Sequence, residues 1–355
     1  MALGWIFLII IVDFVSLAAP QRNETSIKCP RKHDCVPLTS CNITDADAFI
    51  YPCHSGLNFI CCPWGLYTNT TLENRKTSQF PVTCGLVMTA DKISGGKKAD
   101  LGQFPWMALL GYRQSGLDYT QFLCGGSLVT ETYVMTAAHC IHLDRRLELI
   151  VVRLGEHDLL KEKDCYTVRD YEMCAEPHVD VLIQRVEIHP RYDEENLHND
   201  IALIRVKRRI QFTNYIQPIC LPFERNLEAK DLTKQKLTVS GWGKTSAVNV
   251  GGSTTLQYAL VTVWNQSTCA KSVPPDVQPI TGTQLCANGP SAEDACKGDS
   301  GGPLVNATLD GRGDLRYFQI GIVSFASTLT CGNPSLPTVY TRVDKYLQWL
   351  EETIF

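Results

Sequence analysis

The sequence predicts an all-β fold of two packed barrels with a C-terminal helix, preceded by a small disulfide-knotted module. Three observations predict it. Short apolar-alternating runs separated by turn residues recur at 123–129, 150–153, 181–188, 237–240 and 320–325. From Ile93 the chain has 263 residues (355 − 92), enough for two barrels. Ahead of them, Cys29, Cys35, Cys41, Cys53, Cys61 and Cys62 crowd a segment too short to bury a core of its own.

Residues 1–18 read as a signal peptide. An apolar run at 5–12 is too short to span a bilayer and is followed by Asp13, and Ser16-Leu17-Ala18 offers a small-residue cleavage site. No other apolar stretch is long enough to cross a membrane. The 16 cysteines are an even number, and too many for a reducing compartment, so the protein is expected to be secreted and extracellular. Net charge is 33 − 37 = −4 with no basic run, which excludes a nucleic-acid binder. Sequons at Asn23, Asn42, Asn69, Asn265 and Asn306 are glycosylation candidates on the surface.

The six crowded cysteines, at residues 29–63, need about three disulfides of roughly 2–4 kcal/mol each. The residues alone leave 15 pairings open. Zinc is disfavoured because paired C-x-x-C knuckles are absent. Residues 64–92 form a linker and activation segment; the part up to residue 83 is rich in Thr, Asn, Lys and Ser, without a period. At the far end, Val343, Tyr346, Leu347, Leu350 and Ile354 recur at helical spacing and predict an amphipathic helix.

The chemistry is expected in the stretch Asp294-Ala295-Cys296-Lys297-Gly298-Asp299-Ser300-Gly301-Gly302-Pro303. Small residues let a tight loop expose one hydroxyl beside its N–H groups. A hydroxyl is a poor nucleophile without a base, so the loop requires a histidine and an orienting acid elsewhere. Thr136-Ala137-Ala138-His139-Cys140 supplies the first and Asn199-Asp200-Ile201-Ala202-Leu203 the second. His189, before Pro190, reads as a surface residue.

These motifs, in the order His139, Asp200, Ser300, with Gly241-Trp242-Gly243 and Ser324-Phe325, resemble the chymotrypsin-like (S1) serine proteases from residue 93 to residue 355. The cysteine segment ending Cys61-Cys62-Pro63 resembles the clip domain of arthropod proteases. The resemblance implies a two-barrel protease domain and a serine endopeptidase in which His139 is the base, Asp200 orients it, and the N–H groups of Gly298 and Ser300 form the oxyanion hole. Asp91-Lys92-Ile93-Ser94-Gly95-Gly96 resembles an activation site: cutting after Lys92 frees the Ile93 amine to pair with Asp299. It further implies the disulfides Cys29–Cys61, Cys35–Cys53, Cys41–Cys62, Cys84–Cys220, Cys124–Cys140, Cys165–Cys174, Cys269–Cys286 and Cys296–Cys331.

By the same resemblance Asp294 lies on the floor of the S1 pocket, selecting Arg or Lys. Ala295 beside it favours Arg, and Ser324, Phe325, Ala326 and Thr338 line the walls. Trypsin-like members carry Gly where Ala326 and Thr338 stand here. Their added methyls keep a rival open: a restricted pocket for small side chains. Gly155-Glu156-His157-Asp158 opens a loop where several family members bind calcium, so Glu156 and Asp158 are candidate Ca²⁺ ligands; by residues alone the loop is equally a solvated acidic one. No cofactor is otherwise required. The implied partners are an upstream trypsin-like activating protease, a downstream substrate (a protease zymogen, a cytokine precursor or prophenoloxidase, in immunity or development) and a serpin inhibitor. A non-catalytic clip-domain homologue acting as an adaptor is the second reading.

Overall fold

The computed structural model describes residues 33–37, 59–63, 80–87, 98–168, 171–223, 231–244, 251–273, 280–289, 295–309, 313–326 and 336–355. The chain divides into two compact units, Met1–Lys76 and Thr77–Phe355. In the first, β1 (His33–Pro37) pairs antiparallel with β2 (Phe59–Pro63), setting Cys35 opposite Cys61 and Asp34 opposite Cys62.

The second unit contains two closed six-stranded barrels. The first is made of β3 (Met107–Gln114), β4 (Thr120–Leu128), β5 (Tyr133–Thr136), β6 (Leu147–Leu154), β9 (Val179–Ile188) and β10 (Ala202–Val206). A separate hairpin, β7 (Cys165–Val168) and β8 (Tyr171–Cys174), projects between β6 and β9 in the chain. The second barrel is made of β11 (Lys236–Gly241), β12 (Gln257–Val263), β13 (Gln284–Asn288), β14 (Pro303–Leu309), β15 (Leu315–Ala326) and β16 (Thr338–Arg342). Closure leaves no long unpaired edge, and in both barrels every ladder is antiparallel. Four of the five strand runs expected from alternation lie inside an observed strand, and the first, 123–129, runs one residue past the end of β4.

The first six residues of β3 are buried without alternation, because its outer face is covered as well as its inner one. Trp106, Tyr112, Leu110 and Leu154 lie wholly inside, and their cluster extends into the second barrel through Val305 and Ile322. Buried polar links join the barrels, two of them away from the histidine. Ser127 Oγ donates to Gln319 Oε1 at 2.6 Å, and the Gly125 N–H donates to the Ser300 carbonyl at 2.8 Å. Bonds of this kind satisfy groups that would otherwise cost about 1–3 kcal/mol each.

The C-terminal helix is divided. Val343–Lys345 form a 3-10 turn, Tyr346 breaks it at φ −122°, ψ 8°, and α2 (Leu347–Ile354) follows α1 (Gln266–Ser272) as the second α-helix described. Val343, Tyr346, Leu347 and Leu350 are all buried, so the apolar stripe packs as its spacing requires. Two expectations fail. His189 is not a surface residue: it is 5 % exposed and sits edge-on to Tyr346 and Trp349, with centroids 5.1 Å away in both cases. The linker also ends earlier than residue 83. Phe80 packs on Phe223 and Phe355, and Arg316 Nη1 donates to the carbonyls of Val82 and Cys84.

Candidate active site

His139 lies in a 3-10 turn, Ala138–Cys140, directly after β5. The turn is pinned from both sides. Cys140 is joined to Cys124 of β4, and the Tyr112 hydroxyl donates to the Cys140 carbonyl at 2.7 Å. Asp200 precedes β10 and is fully buried. Its Oδ1 accepts from the His139 backbone N–H at 2.9 Å, and its Oδ2 lies 2.8 Å from His139 Nδ1. The same Oδ2 accepts from Ser324 Oγ at 2.6 Å, and the Asp200 carbonyl accepts from Thr341 Oγ1 at 2.9 Å. A buried carboxylate with this many donors stays an acceptor, so Nδ1 carries a proton and Nε2 is left as the basic nitrogen.

Ser300 stands in the loop before β14. Gly298, at φ +106°, takes a conformation that side chains strongly disfavour. Its backbone also approaches Gly243 so closely that a Cβ would sit 3.0 Å from the Gly243 Cα. The resulting turn treats its N–H groups unequally. Those of Asp299, Gly301 and Gly302 are bonded, to the carbonyls of Cys296, Val323 and Asp299. Those of Gly298 and Ser300 make no hydrogen bond among the described residues. Two free donors beside one hydroxyl form a cradle for a developing oxyanion. Ser300 makes no hydrogen bond to His139 among the described residues; His139 Nε2 lies 3.7 Å from the Cys140 sulfur.

Asp299 points inward. Its oxygens accept from the Gly243 N–H at 2.7 Å and the Cys296 N–H at 2.8 Å, and Gly241 and Gly243 lie so close that a Cβ on either would collide with its carboxyl group. No cation lies within 4.0 Å of it among the described residues. Burial pushes its pKa up to about 6, against the pull of its two backbone donors.

On the pocket, Ala295 is buried, and Ala326 of β15 is the direct cross-strand partner of Thr338 of β16. Directly opposed residues project from the same face with Cβ atoms about 5 Å apart, so both added side chains meet on one side of the sheet. Ser324, expected among the pocket residues, turns its hydroxyl onto Asp200 instead, and Phe325 packs against a small core with Cys269 and Val339. Asp294 lies outside the described residues, as do Lys92, Ile93, Cys331 and the sequons at Asn23, Asn42 and Asn69. The side chains of the six clip cysteines lie outside them too. Cys296 is disulfide-bonded. Cys84–Cys220, Cys165–Cys174 and Cys269–Cys286 are formed. Asn265 is exposed and caps α1 through its Oδ1, whereas Asn306 is half-buried within β14.

The calcium expectation does not fit the residues present. Both oxygens of Glu156 are occupied: Oε1 by the His157 N–H at 2.9 Å, Oε2 by Arg153 at 3.2 Å and by His178 at 3.3 Å. Arg153 is held in turn by two bonds to Asp180, at 2.8 and 2.9 Å, and lies over the Phe122 ring. Asp158 faces Lys161 at 3.6 Å. Cations of the chain itself stand where a divalent ion would need free oxygen ligands. Among the described residues, the clusters with metal-ligand proximity centre on Cys124–Cys140 and Cys165–Cys174, whose sulfurs are consumed in disulfides.

Sequence reasoning missed three donors around Asp200: the hydroxyls of Ser324, Thr341 and, one residue removed, Tyr346, which donates to Asn199 Oδ1 at 3.0 Å. All three come from the second barrel and its C-terminal extension.

The trypsin family model matches residues 93–350, most of the chain. The chain belongs to the trypsin family. Within that family it is a clip-domain serine protease by its relatives. Phenoloxidase-activating factor 1 of Holotrichia diomphalia is 37 % identical over 344 residues, covering 90 % of each chain. Serine protease grass of Drosophila melanogaster is 37 % identical over 303 residues, covering 84 % of this chain and 77 % of that one. Among solved structures, the Drosophila Grass clip serine protease of the Toll pathway superposes with a TM-score of 0.69 at 33 % identity, covering 91 % of this chain and 94 % of that one. The trypsin-family barrels described above are thus those of a chymotrypsin-like protease, a class that needs no cofactor for peptide hydrolysis.

Proposed function

We propose that this chain is the secreted zymogen of a serine endopeptidase, activated by cleavage after Lys92 and acting in an extracellular proteolytic cascade. The observation that carries the reading is the convergence of a buried, fully bonded Asp200, an oriented His139 and two unbonded N–H groups flanking Asp299. In this mechanism His139 Nε2 takes the Ser300 proton as Oγ attacks the scissile carbonyl. Asp200 stabilises the imidazolium, and the N–H groups of Gly298 and Ser300 hold the oxyanion. The imidazolium then protonates the leaving amine, and water repeats the sequence on the acyl-enzyme. Ser300 and His139 need not be bonded before substrate binds, since catalytic hydrogen bonds tighten in the productive complex.

The activation step follows from Asp299. A buried carboxylate with no cationic partner is costly, and the freed Ile93 amine supplies one. Its pairing would lock the loop that carries Gly298 and Ser300. The signal peptide and the disulfide density support secretion. The names of the relatives support a place in a phenoloxidase-activating or Toll-type cascade, with a trypsin-like activator upstream, a protein substrate downstream and a serpin as inhibitor.

By family resemblance Asp294, outside the described residues, would direct cleavage after Arg or Lys. A second reading, a pocket restricted to smaller side chains, is favoured by the opposed pair Ala326 and Thr338. A panel of peptide substrates differing only in the residue before the scissile bond separates them. The trypsin-like reading predicts Arg and Lys well ahead of Ala and Leu; the reverse order establishes the restricted pocket. No turnover of any panel member after verified cleavage would favour the non-catalytic adaptor.

A further inference from the structure

Asn199, the residue that leads into Asp200, is held in the left-handed region at φ +53°. Residues with a Cβ rarely hold this conformation, and Asn tolerates it best when its side chain is bonded locally. Here the side chain is clamped at both ends. Oδ1 accepts from the Tyr346 hydroxyl at 3.0 Å, and Nδ2 donates to the Arg191 carbonyl at 2.6 Å. The Asn199 carbonyl accepts from the Ile201 N–H at 2.8 Å, so the backbone wraps tightly around Asp200.

The donor end of the clamp is itself rigid. Tyr346 is 4 % exposed and joins the 3-10 turn to α2; its carbonyl accepts from the Leu350 N–H. Its ring stands edge-on to His189 at 5.1 Å. Burial raises its hydroxyl pKa, so the group remains a neutral donor. Ser324 and Thr341 bond Asp200 directly but do not bond Asn199, so no other side chain from the second barrel bonds Asn199 among the described residues.

We infer that Tyr346 is a positioning residue for the proposed reaction: acting through Asn199, it sets the backbone that aims the Asp200 carboxylate at His139. The C-terminal extension then serves the site as well as the core. This inference rests on the protease reading above.

The test compares wild type, Tyr346→Phe, Asn199→Ala, the double variant and Ile354→Ala, each full-length and cleaved after Lys92. Ile354→Ala loosens α2 without touching the clamp. Tyr346→Phe keeps the ring and removes only the hydroxyl. It is expected to lower kcat about ten-fold with KM unchanged. The double variant should lose no more than the worse single one. Ile354→Ala should lower Tm while keeping kcat. The low-field proton resonance of the His139–Asp200 hydrogen bond should shift or broaden in Tyr346→Phe and Asn199→Ala, and stay in place in Ile354→Ala. Wild-type kcat and an unmoved resonance in Tyr346→Phe would overturn the inference. So would a kcat loss matched by Ile354→Ala at equal loss of Tm. If wild type turns over no substrate, the protease reading fails by itself, and the resonance alone then decides the positioning role.

Discussion

Asp200 carries four hydrogen bonds although only one, from His139 Nδ1, belongs to the reacting pair. Removing one donor from a buried carboxylate costs about 1–3 kcal/mol. Ser324→Ala is therefore expected to lower Tm and kcat together, measured by thermal melting and by ester hydrolysis of the cleaved protein; unchanged values for both would mean its bond to Asp200 carries no weight. Asp299 allows a sharper prediction. Its folded pKa of about 6 lies above the ordinary carboxylate value, so the protonated form favours the uncut fold. That contribution is complete below about pH 4 and is lost as pH rises through about 6, a swing of order 3 kcal/mol. An Ile93 amine paired to Asp299 would hold the carboxylate charged and remove the loss. Melting curves of uncut and cut Ser300→Ala protein across pH 4–7 should diverge as pH rises, the uncut form falling behind; parallel curves would contradict the pairing. At this scale the motif residues His139, Asp200 and Ser300 were legible, because each sits in a distinctive local string. The hydroxyls of Ser324, Thr341 and Tyr346 were not, because their partners lie more than a hundred residues away in sequence and arrive only by barrel packing. His189 was misread because a His-Pro step resembles a loop, and nothing local announces the rings of Tyr346 and Trp349.

Among the elements, the loop from β6 to β9 departs most from expectation. Its acidic residues suggested a calcium site. The side chains that overrule it are Arg153 on β6 and His178 just before β9, which reach Glu156, and Asp180 on β9, which holds Arg153; they come together only once the two strands pair. The account predicts no change in Tm on adding calcium or a chelator. Arg153→Gln should instead lower Tm and expose the loop and the β7–β8 hairpin to faster proteolysis, because Glu156 would then be buried without its guanidinium partner. A calcium-dependent rise in the Tm of wild type would contradict this. The C-terminal helix shows the opposite outcome. Its apolar spacing was legible, and only the break at Tyr346, which turns that hydroxyl toward Asn199, required the tertiary structure.

Across the second unit, residues 80–87 join the protease barrels by more than the Cys84–Cys220 bridge. The Gly85 N–H donates to the Pro218 carbonyl, the Gly85 carbonyl accepts from the Tyr317 N–H, and Arg316 reaches two further carbonyls. Cleavage after Lys92 is thus expected to leave one covalent species that separates into two chains on denaturing gels only after reduction. Separation without reductant would contradict the pairing. The two-barrel class was readable from strand alternation, length and cysteine use. The way one barrel supplies His139 and Asp200 while the other supplies Ser300 and the groups that hold Asp200 was not, since it depends on how the barrels dock.

The most direct measurement of the central claim is labelling with an active-site fluorophosphonate before and after verified cleavage at Lys92. The account predicts near-stoichiometric modification of Ser300 only in the cleaved protein, abolished in Ser300→Ala, with peptide turnover lower in that variant by about four to six powers of ten. Absence of labelling and turnover after complete cleavage, or equal labelling of the Ser300→Ala protein, would contradict it.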